Sequence, residues 1–460
     1  MRYGMKNKRK KENNTVPIGL SDIGLYIPRK KMELEELTTE RTFENPKLYR
    51  HFNRARNFTS QESIRYPEIW EDTVTMAAEA AREVLQKRSP EELQKLRYLV
   101  AGTETGVDHS KPVSAYVEGM LQDAGLNVPN SLSSFQVQHA CAGGTMALIS
   151  VASMLSMSPD GDESGLILGS DIARYETATT AEITQGAGAV SLLVEKNPKL
   201  LELDLTTPGY CSKNVDDFFR PLGSKIAQVK GRYSMDCYID NLKEAVEDHA
   251  GRKGTTSAAL LTSTDYFVLH APFKTMPELA MKALLKDHLG LVNGQTESFL
   301  ESRGLYNAVD PIGKIGNTYS ASLYVTLISL LKREYERIGR DIVGKKIMLA
   351  SYGSGNTMIV YSARVAEGAP EVISTWDLDE KINAGEAAAI EEYETWVAGP
   401  YTGSEYNERI AEAAVPCGSF YLSNIREDGY REYSVKTAVA DGVEESKASD
   451  NLHEPAEVFC

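Results

Sequence analysis

Two stretches of this chain pass through the same order of elements, and that doubled order constrains the fold more than any single residue does. In the first, 96–102 reads as a buried strand ending at Thr103-Glu104-Thr105. The turn around Cys141 then opens a helix over 146–155, and a strand follows at 165–169. The glycine-rich Thr184-Gln185-Gly186-Ala187-Gly188 leads into a further strand at 190–194. In the second stretch, a strand at 264–269 delivers His270 as the earlier one delivers Glu104. Gly316-Asn317-Thr318-Tyr319 opens a helix over 320–333, in the place Cys141 holds in the first half. A strand at 346–351 runs into Tyr352-Gly353-Ser354-Gly355-Asn356, and 357–361 closes the set. Strands alternating with helices imply an α/β fold whose mixed or parallel sheets are covered by helices. A doubled unit brings equivalent strand ends to a pseudo-twofold axis, so Glu104, Cys141, His270 and Asn317 are expected to converge.

The rest of the chain frames these halves. A strand is expected at 18–26, an alanine-faced helix at 73–85 and another helix at 113–124. Residues 33–65 are charged and helix-prone with few apolar anchors, which reads as a surface excursion. The division that follows is a basic disordered leader (1–16), a first half with the cysteine (17–200), a second half with His270 and Asn317 (201–435) and an acidic tail (436–460). At 460 residues there is ample length for a large core. The net charge of −15 argues against general nucleic-acid or anionic-membrane binding, so any phosphate-bearing ligand needs a local basic patch. Five cysteines and seven histidines show no disulfide or metal-ligand spacing. The run 321–331 is too short to span a bilayer, and no apolar segment backs the basic N-terminus. The expectation is a cytoplasmic protein with no membrane association and no metal.

Cys141 sits in Gln136-Val137-Gln138-His139-Ala140-Cys141-Ala142-Gly143-Gly144-Thr145, between a short apolar segment and a helix whose first turn is built of small residues. Unpaired N–H groups and the positive end of the helix dipole favour thiolate over thiol there. Glycines let a substrate approach closely. A lone cysteine of this kind is more often a buried structural residue; its company argues for chemistry.

That company resembles the 3-hydroxy-3-methylglutaryl-CoA synthase family of the thiolase superfamily, with bacterial-type spacing. The carriers are Gly102-Thr103-Glu104-Thr105, Ala140-Cys141-Ala142-Gly143-Gly144-Thr145, Asp171-Ile172-Ala173-Arg174-Tyr175 and Thr184-Gln185-Gly186-Ala187-Gly188-Ala189-Val190. They continue with Asp217-Phe218-Phe219-Arg220-Pro221, His270-Ala271-Pro272-Phe273, Gly316-Asn317-Thr318-Tyr319 and Ser351-Tyr352-Gly353-Ser354-Gly355. The resemblance implies a thiolase-like five-layered αβαβα fold built from two pseudo-repeated halves, and a homodimer. It implies condensation of acetyl-CoA with acetoacetyl-CoA for the mevalonate route, the CoA thioesters being substrates and no cofactor being used. Cys141 is then the acetyl-accepting nucleophile, Glu104 the acid/base and His270 the residue that polarises the acetoacetyl group. Asn317, Ser354, Thr184 and Ser234 match substrate contacts, and Tyr175 and Asp217 match residues lining the site. Backbone N–H groups of Cys141, Ser354 and Gly355 are the expected oxyanion donors. Lys225, Lys230 and Arg232 are read either as the basic patch for CoA phosphates or as a solvated charged loop. Two departures stand out. Ala142 follows the nucleophile where the family usually carries tyrosine, and 226–231 lacks the family's usual Tyr-Pro and Asp. The rival readings are a polyketide β-branching synthase acting on a carrier-bound acetoacetyl chain, and an inactive thiolase-fold scaffold.

Overall fold

Apolar runs bounded by glycine, proline and capping residues become the nine strands of the main sheet. These are β1 (Ile18–Tyr26), β2 (Leu96–Gly102), β3 (Ser133–Val137), β4 (Ser164–Ala173), β5 (Gly186–Lys196), β6 (Leu201–Ser212), β7 (Tyr266–Leu269), β8 (Lys346–Gly353) and β9 (Thr357–Val365). The computed structural model describes residues 16–159, 161–399 and 402–437. The expected leader, apart from Val16, and the expected tail beyond Thr437 lie outside those residues.

The strand order is β7-β8-β9-β6-β1-β5-β4-β2-β3. In the first half β2 runs parallel to β4, and β4–β5 and β5–β1 are antiparallel. The second half repeats this: β7 is parallel to β8, and β8–β9 and β9–β6 are antiparallel. The halves meet where β1 and β6 pair at Gly19↔Glu202 and Leu20↔Leu201. The helices that cover the sheet or wall the site are α1 (Leu34–Glu44), α2 (Tyr49–Thr59), α3 (Thr73–Leu85), α4 (Val113–Asp123), α5 (Gly143–Met157), α6 (Gly231–Arg252), α7 (Met276–Leu289) and α8 (Ser322–Ile338).

The central layer is α5 with α8. Leu148, Val151 and Leu155 from α5 and Leu327, Leu330 and Leu331 from α8 share one core with Ile167 and Val190 of the first half and Leu349 and Ile359 of the second. α3 and α4 cover the outer face of the first half, and α6 and α7 that of the second. The result is the five-layered thiolase-like arrangement. Residues 140–157 form the one described helical stretch apolar enough to cross a membrane. Its place is in the protein core, where an all-round apolar helix is expected.

Two differences from the sequence reading matter for the site. Residues 33–65 are no surface excursion. Leu34, Leu37 and Phe52 are fully buried, and Arg41 makes a buried two-pronged pair with Glu182 at 2.6 and 3.0 Å. That pair ties α1 to the turn carrying Thr184. The second concerns the pseudo-repeat. α5 starts at Gly143 and α8 at Ser322, and the residue three positions before each start has positive φ (Ala140 at 42°, Tyr319 at 44°). By this count Ser320, and not Asn317, is the counterpart of Cys141.

Candidate active site

The nucleophile turn is held by close backbone crossings. A side chain on Gly102 would lie 2.4 Å from Gly143 C, so only glycine lets the end of β2 cross the start of α5. A methyl on Gly353 would approach His139 O to 2.5 Å and the Ala142 Cβ to 2.8 Å. Ala142, fully buried, is thus the small residue this close packing accommodates beside Cys141.

Cys141 is 8% exposed, and its Sγ lies 3.5 Å from Glu104 Oε1. Burial first, then the nearby Glu104 carboxylate, push the thiol pKa well up. That direction runs against the expected helix-start thiolate. The helix begins two residues later, at Gly143. Glu104 extends beyond β2, with Oε2 3.0 Å from Arg220 Nη2 and its carbonyl accepting from Arg220 Nη1 at 3.1 Å. Burial raises the Glu104 pKa to about 8 against the pull of Arg220. A carboxyl poised near neutrality suits a group that removes a proton in one step and returns it in another.

Asp171, on β4, organises this end of the sheet. Its Oδ1 accepts from the Thr103 hydroxyl at 2.7 Å, the Thr105 hydroxyl at 2.7 Å and the Glu104 amide at 3.0 Å. Its Oδ2 accepts from the amide and hydroxyl of Ser320. The counterpart of the nucleophile thus serves as a structural donor that locks the two halves together.

His270 follows β7 and is 2% exposed. Burial lowers its pKa to about 3, so the ring is neutral throughout the working range. Its Nδ1 is buried without a partner among the described residues, and its carbonyl accepts from the Tyr238 hydroxyl at 2.8 Å. Cys141, His270, Asn317, Tyr175, Thr184, Ser234 and Ser354 all line one cavity of about 470 Å³. That size is ordinary for a small-molecule site. Asn317 Oδ1 accepts from the Tyr319 amide at 2.9 Å, and the Asn317 amide donates to the Thr184 carbonyl at 3.1 Å. Tyr175 stacks edge-on against Phe218, and Phe218 against Tyr319.

Several expected residues sit differently. Asp217 is fully buried and is absent from the cavity lining. It braces the glycine loop, with Oδ1 accepting from the Gly355 amide at 2.8 Å and Oδ2 from the Tyr352 hydroxyl at 2.6 Å. The Gly355 N–H is therefore committed to Asp217 and is not an oxyanion donor in this state; the amides of Cys141 and Ser354 are the candidates that stand. Of the expected phosphate patch, Arg232 alone lines the cavity. Lys230 pairs with Asp216, and Lys225 has Arg174 and Arg431 as charged neighbours.

Arg220 and Asp171 are functional residues the sequence reading quoted within motifs without giving them roles. Only tertiary contact reveals them, because the Arg220–Glu104 pair spans 116 positions. Arg220 acts here through Glu104. Replacing it with glutamine is expected to move the alkaline-rising limb of the pH–rate profile upward by about one to two units. The sign follows from the pairing: a cation beside a carboxylate lowers its pKa, so its loss delays ionisation of the base. Arg220→Lys should restore most of the shift, whereas an unmoved limb would remove Arg220 from this role.

The comparisons with known proteins agree with this geometry. The family model described as Hydroxymethylglutaryl-coenzyme A synthase N terminal matches residues 15–199, and its C-terminal companion matches residues 306–436. The hydroxymethylglutaryl-CoA synthase of Haloferax volcanii is 28% identical over 371 residues, covering 72% of this chain and 81% of its own. A Bacillus subtilis polyketide biosynthesis 3-hydroxy-3-methylglutaryl-ACP synthase, PksG, is 27% identical over 365 residues, covering 76% of this chain and 83% of its own. A solved structure, MvaS in complex with 3-hydroxy-3-methylglutaryl coenzyme A, has a TM-score of 0.78 at 31% identity, covering 92% of this chain and 100% of that one. Fold and site together define an acyl-transferring condensing enzyme of thiolase-like fold. The chain belongs to the hydroxymethylglutaryl-CoA synthase family.

Proposed function

We propose that this enzyme condenses acetyl-CoA with acetoacetyl-CoA and water, releasing 3-hydroxy-3-methylglutaryl-CoA and CoA for the mevalonate route, with the acetyl group carried on Cys141. The observation that carries the assignment of roles is the Glu104 oxygen 3.5 Å from the Cys141 sulfur, in a site shared with a neutral, buried His270. The Cys141 sulfur attacks the acetyl thioester, and its proton passes to the departing CoA sulfur with Glu104 beside it to relay. Glu104 then removes a proton from the acetyl methyl, and the resulting carbanion attacks the acetoacetyl ketone. A neutral imidazole N–H from His270 polarises that ketone, and Glu104 returns its proton to the alkoxide. Water finally cleaves the Cys141 thioester. Each proton moves through side chains, so the scheme uses no cofactor beyond the thioester substrates.

We extend the reading to a cytoplasmic homodimer. Cys141, Cys211 and Cys237 are buried free thiols, which suits a reducing compartment. β3 is the outermost strand of the sheet, a ready edge for a second copy.

Purified protein supplied with the two CoA esters, and no carrier protein, should release free CoA and the hydroxymethylglutaryl ester. Turnover that begins only when an acetoacetylated carrier protein is added would favour the β-branching reading instead.

A further inference from the structure

One wall of the catalytic cavity is braced from behind by buried polar side chains that the scheme above does not use. Thr184 lines the cavity from the single turn Glu182–Thr184. Glu182 and Gln185, on either side of that turn's last residues, are buried and absent from the lining. Gln185 Oε1 accepts from the Tyr175 amide at 2.7 Å, and its Nε2 donates to the Tyr393 hydroxyl at 2.7 Å. That hydroxyl donates in turn to Glu182 Oε1 at 3.1 Å. Glu182 Oε2 accepts from the Ala178 amide at 2.8 Å, beside the pair with Arg41 already described. Arg41 continues to Glu394 at 2.6 Å. Tyr393 and Glu394 belong to α9 (Ile390–Ala398).

The roles in this network are fixed by chemistry. Only the oxygen of the Gln185 amide can accept from a backbone N–H, so its nitrogen must face Tyr393. Both Glu182 oxygens are matched by two donors each. Burying an ion pair and an amide is costly, and a fully satisfied polar network of this kind holds one geometry. That geometry governs three residues of the cavity wall. Tyr175 is held by its amide, Thr184 sits between Glu182 and Gln185, and the Thr184 carbonyl takes the Asn317 amide at 3.1 Å. A methyl on Gly316 would lie 1.7 Å from the Gln185 carbonyl oxygen, so the turn is pressed directly on the segment carrying Asn317. Ile183 shares a small core with Leu37, Phe52 and Tyr393, apart from the cores that flank the main sheet. Through this turn α1 and α9 reach the cavity wall.

We infer that Gln185 is a positioning residue for the acetoacetyl acceptor, holding the Tyr175 backbone and the Thr184 turn in register, and that Tyr393 acts through it. This rests on the reading above in which Thr184 and Asn317 contact the acceptor. Cys141 precedes α5 and Glu104 follows β2, and no hydrogen bond of the network reaches either. The network therefore bears on acceptor binding and leaves acetylation of the cysteine largely alone. A small displacement of a positioning wall is enough to weaken a reacting geometry.

The test uses Gln185→Leu, which keeps the bulk and removes both contacts, and Tyr393→Phe, which removes one hydroxyl and serves alone if the first variant does not fold. The KM for acetoacetyl-CoA should rise about tenfold in Gln185→Leu and about threefold in Tyr393→Phe. The rate of Cys141 acetylation by acetyl-CoA should stay within about twofold of wild type. The double variant should be no worse than Gln185→Leu, because Tyr393 acts through Gln185. Thermal unfolding is followed alongside. A lowered midpoint with an unmoved KM, or acetylation and condensation falling together, makes the network a stabilising one only and overturns the inference. A double variant whose KM effect is the product of the two single effects overturns it too. Calorimetric titration of acetoacetyl-CoA into the Cys141→Ser protein, with and without Gln185→Leu, reads the same shift without chemistry. A weakened titration in a protein that acetyl-CoA cannot acylate would leave the positioning role standing and sink the catalytic reading; an unchanged titration would sink the positioning role.

Discussion

Cys141→Ser is expected to leave the enzyme unable to take up acetyl groups from acetyl-CoA, with overall turnover reduced on the order of 10⁴- to 10⁶-fold. The reason lies in the pocket. Burial and the Glu104 carboxylate already push even a thiol well above its ordinary pKa. A serine hydroxyl starts many units higher and would have to ionise in the same surroundings. The fold should be untouched, because the exchange is nearly isosteric. The measurement is covalent label from radioactive acetyl-CoA after denaturation, which should be stoichiometric in wild type and absent in the variant. Label at the wild-type level on the serine protein would take Cys141 out of the nucleophile's role.

Glu104→Gln should divide the reaction in two. Acetyl transfer exchanges one thiol for another, and the leaving CoA sulfur can accept the proton. Removing the carboxylate also removes a charge that raises the Cys141 pKa. Acetylation should therefore survive with a loss of about tenfold or less. Condensation needs a base at the acetyl methyl, and the other carboxylate that acts on Cys141 among the described residues, Asp171, is consumed by hydrogen bonds from residues 103–105 and Ser320. Product formation should fall by about 10³- to 10⁴-fold. Single-turnover experiments that follow label onto the protein and then into product check both halves. Failure of the glutamine variant to acetylate would make Glu104 an activator of the thiol instead.

Much of this site was legible in the chain because its parts are local. Strands at Ile18–Tyr26 and Leu96–Gly102 and the helix Thr73–Leu85 end where their apolar patterns end. The helix start is further fixed by a capping box in which Asp72 accepts from the Val74 and Thr75 amides. Eight motifs in family order brought Glu104, Cys141, His270 and Asn317 into one expectation, and three of these four line a single cavity beside the fourth. What escaped the sequence depends on partners distant along the chain. The Gly355 amide looks free until Asp217, 138 residues away, is seen to take it. The Cys141 thiolate looked favourable because a helix start is a local signal, whereas desolvation comes from the whole surrounding core. Residues 33–65 read as a surface excursion because their apolar anchors are few. Those few, Leu34, Leu37 and Phe52, are completely buried, and they set α2 against the cavity.

The account's central claim is that one carbon–carbon bond is made on an acetyl group parked on Cys141. The direct measurement is intact-protein and peptide mass spectrometry of enzyme mixed with acetyl-CoA alone, followed by a chase with acetoacetyl-CoA. One acetyl group should appear on the peptide containing Cys141. On the chase it should leave as 3-hydroxy-3-methylglutaryl-CoA, carrying the acetyl carbons with it. An acetyl group found elsewhere, or one on Cys141 that the chase does not convert into that product, would contradict the claim.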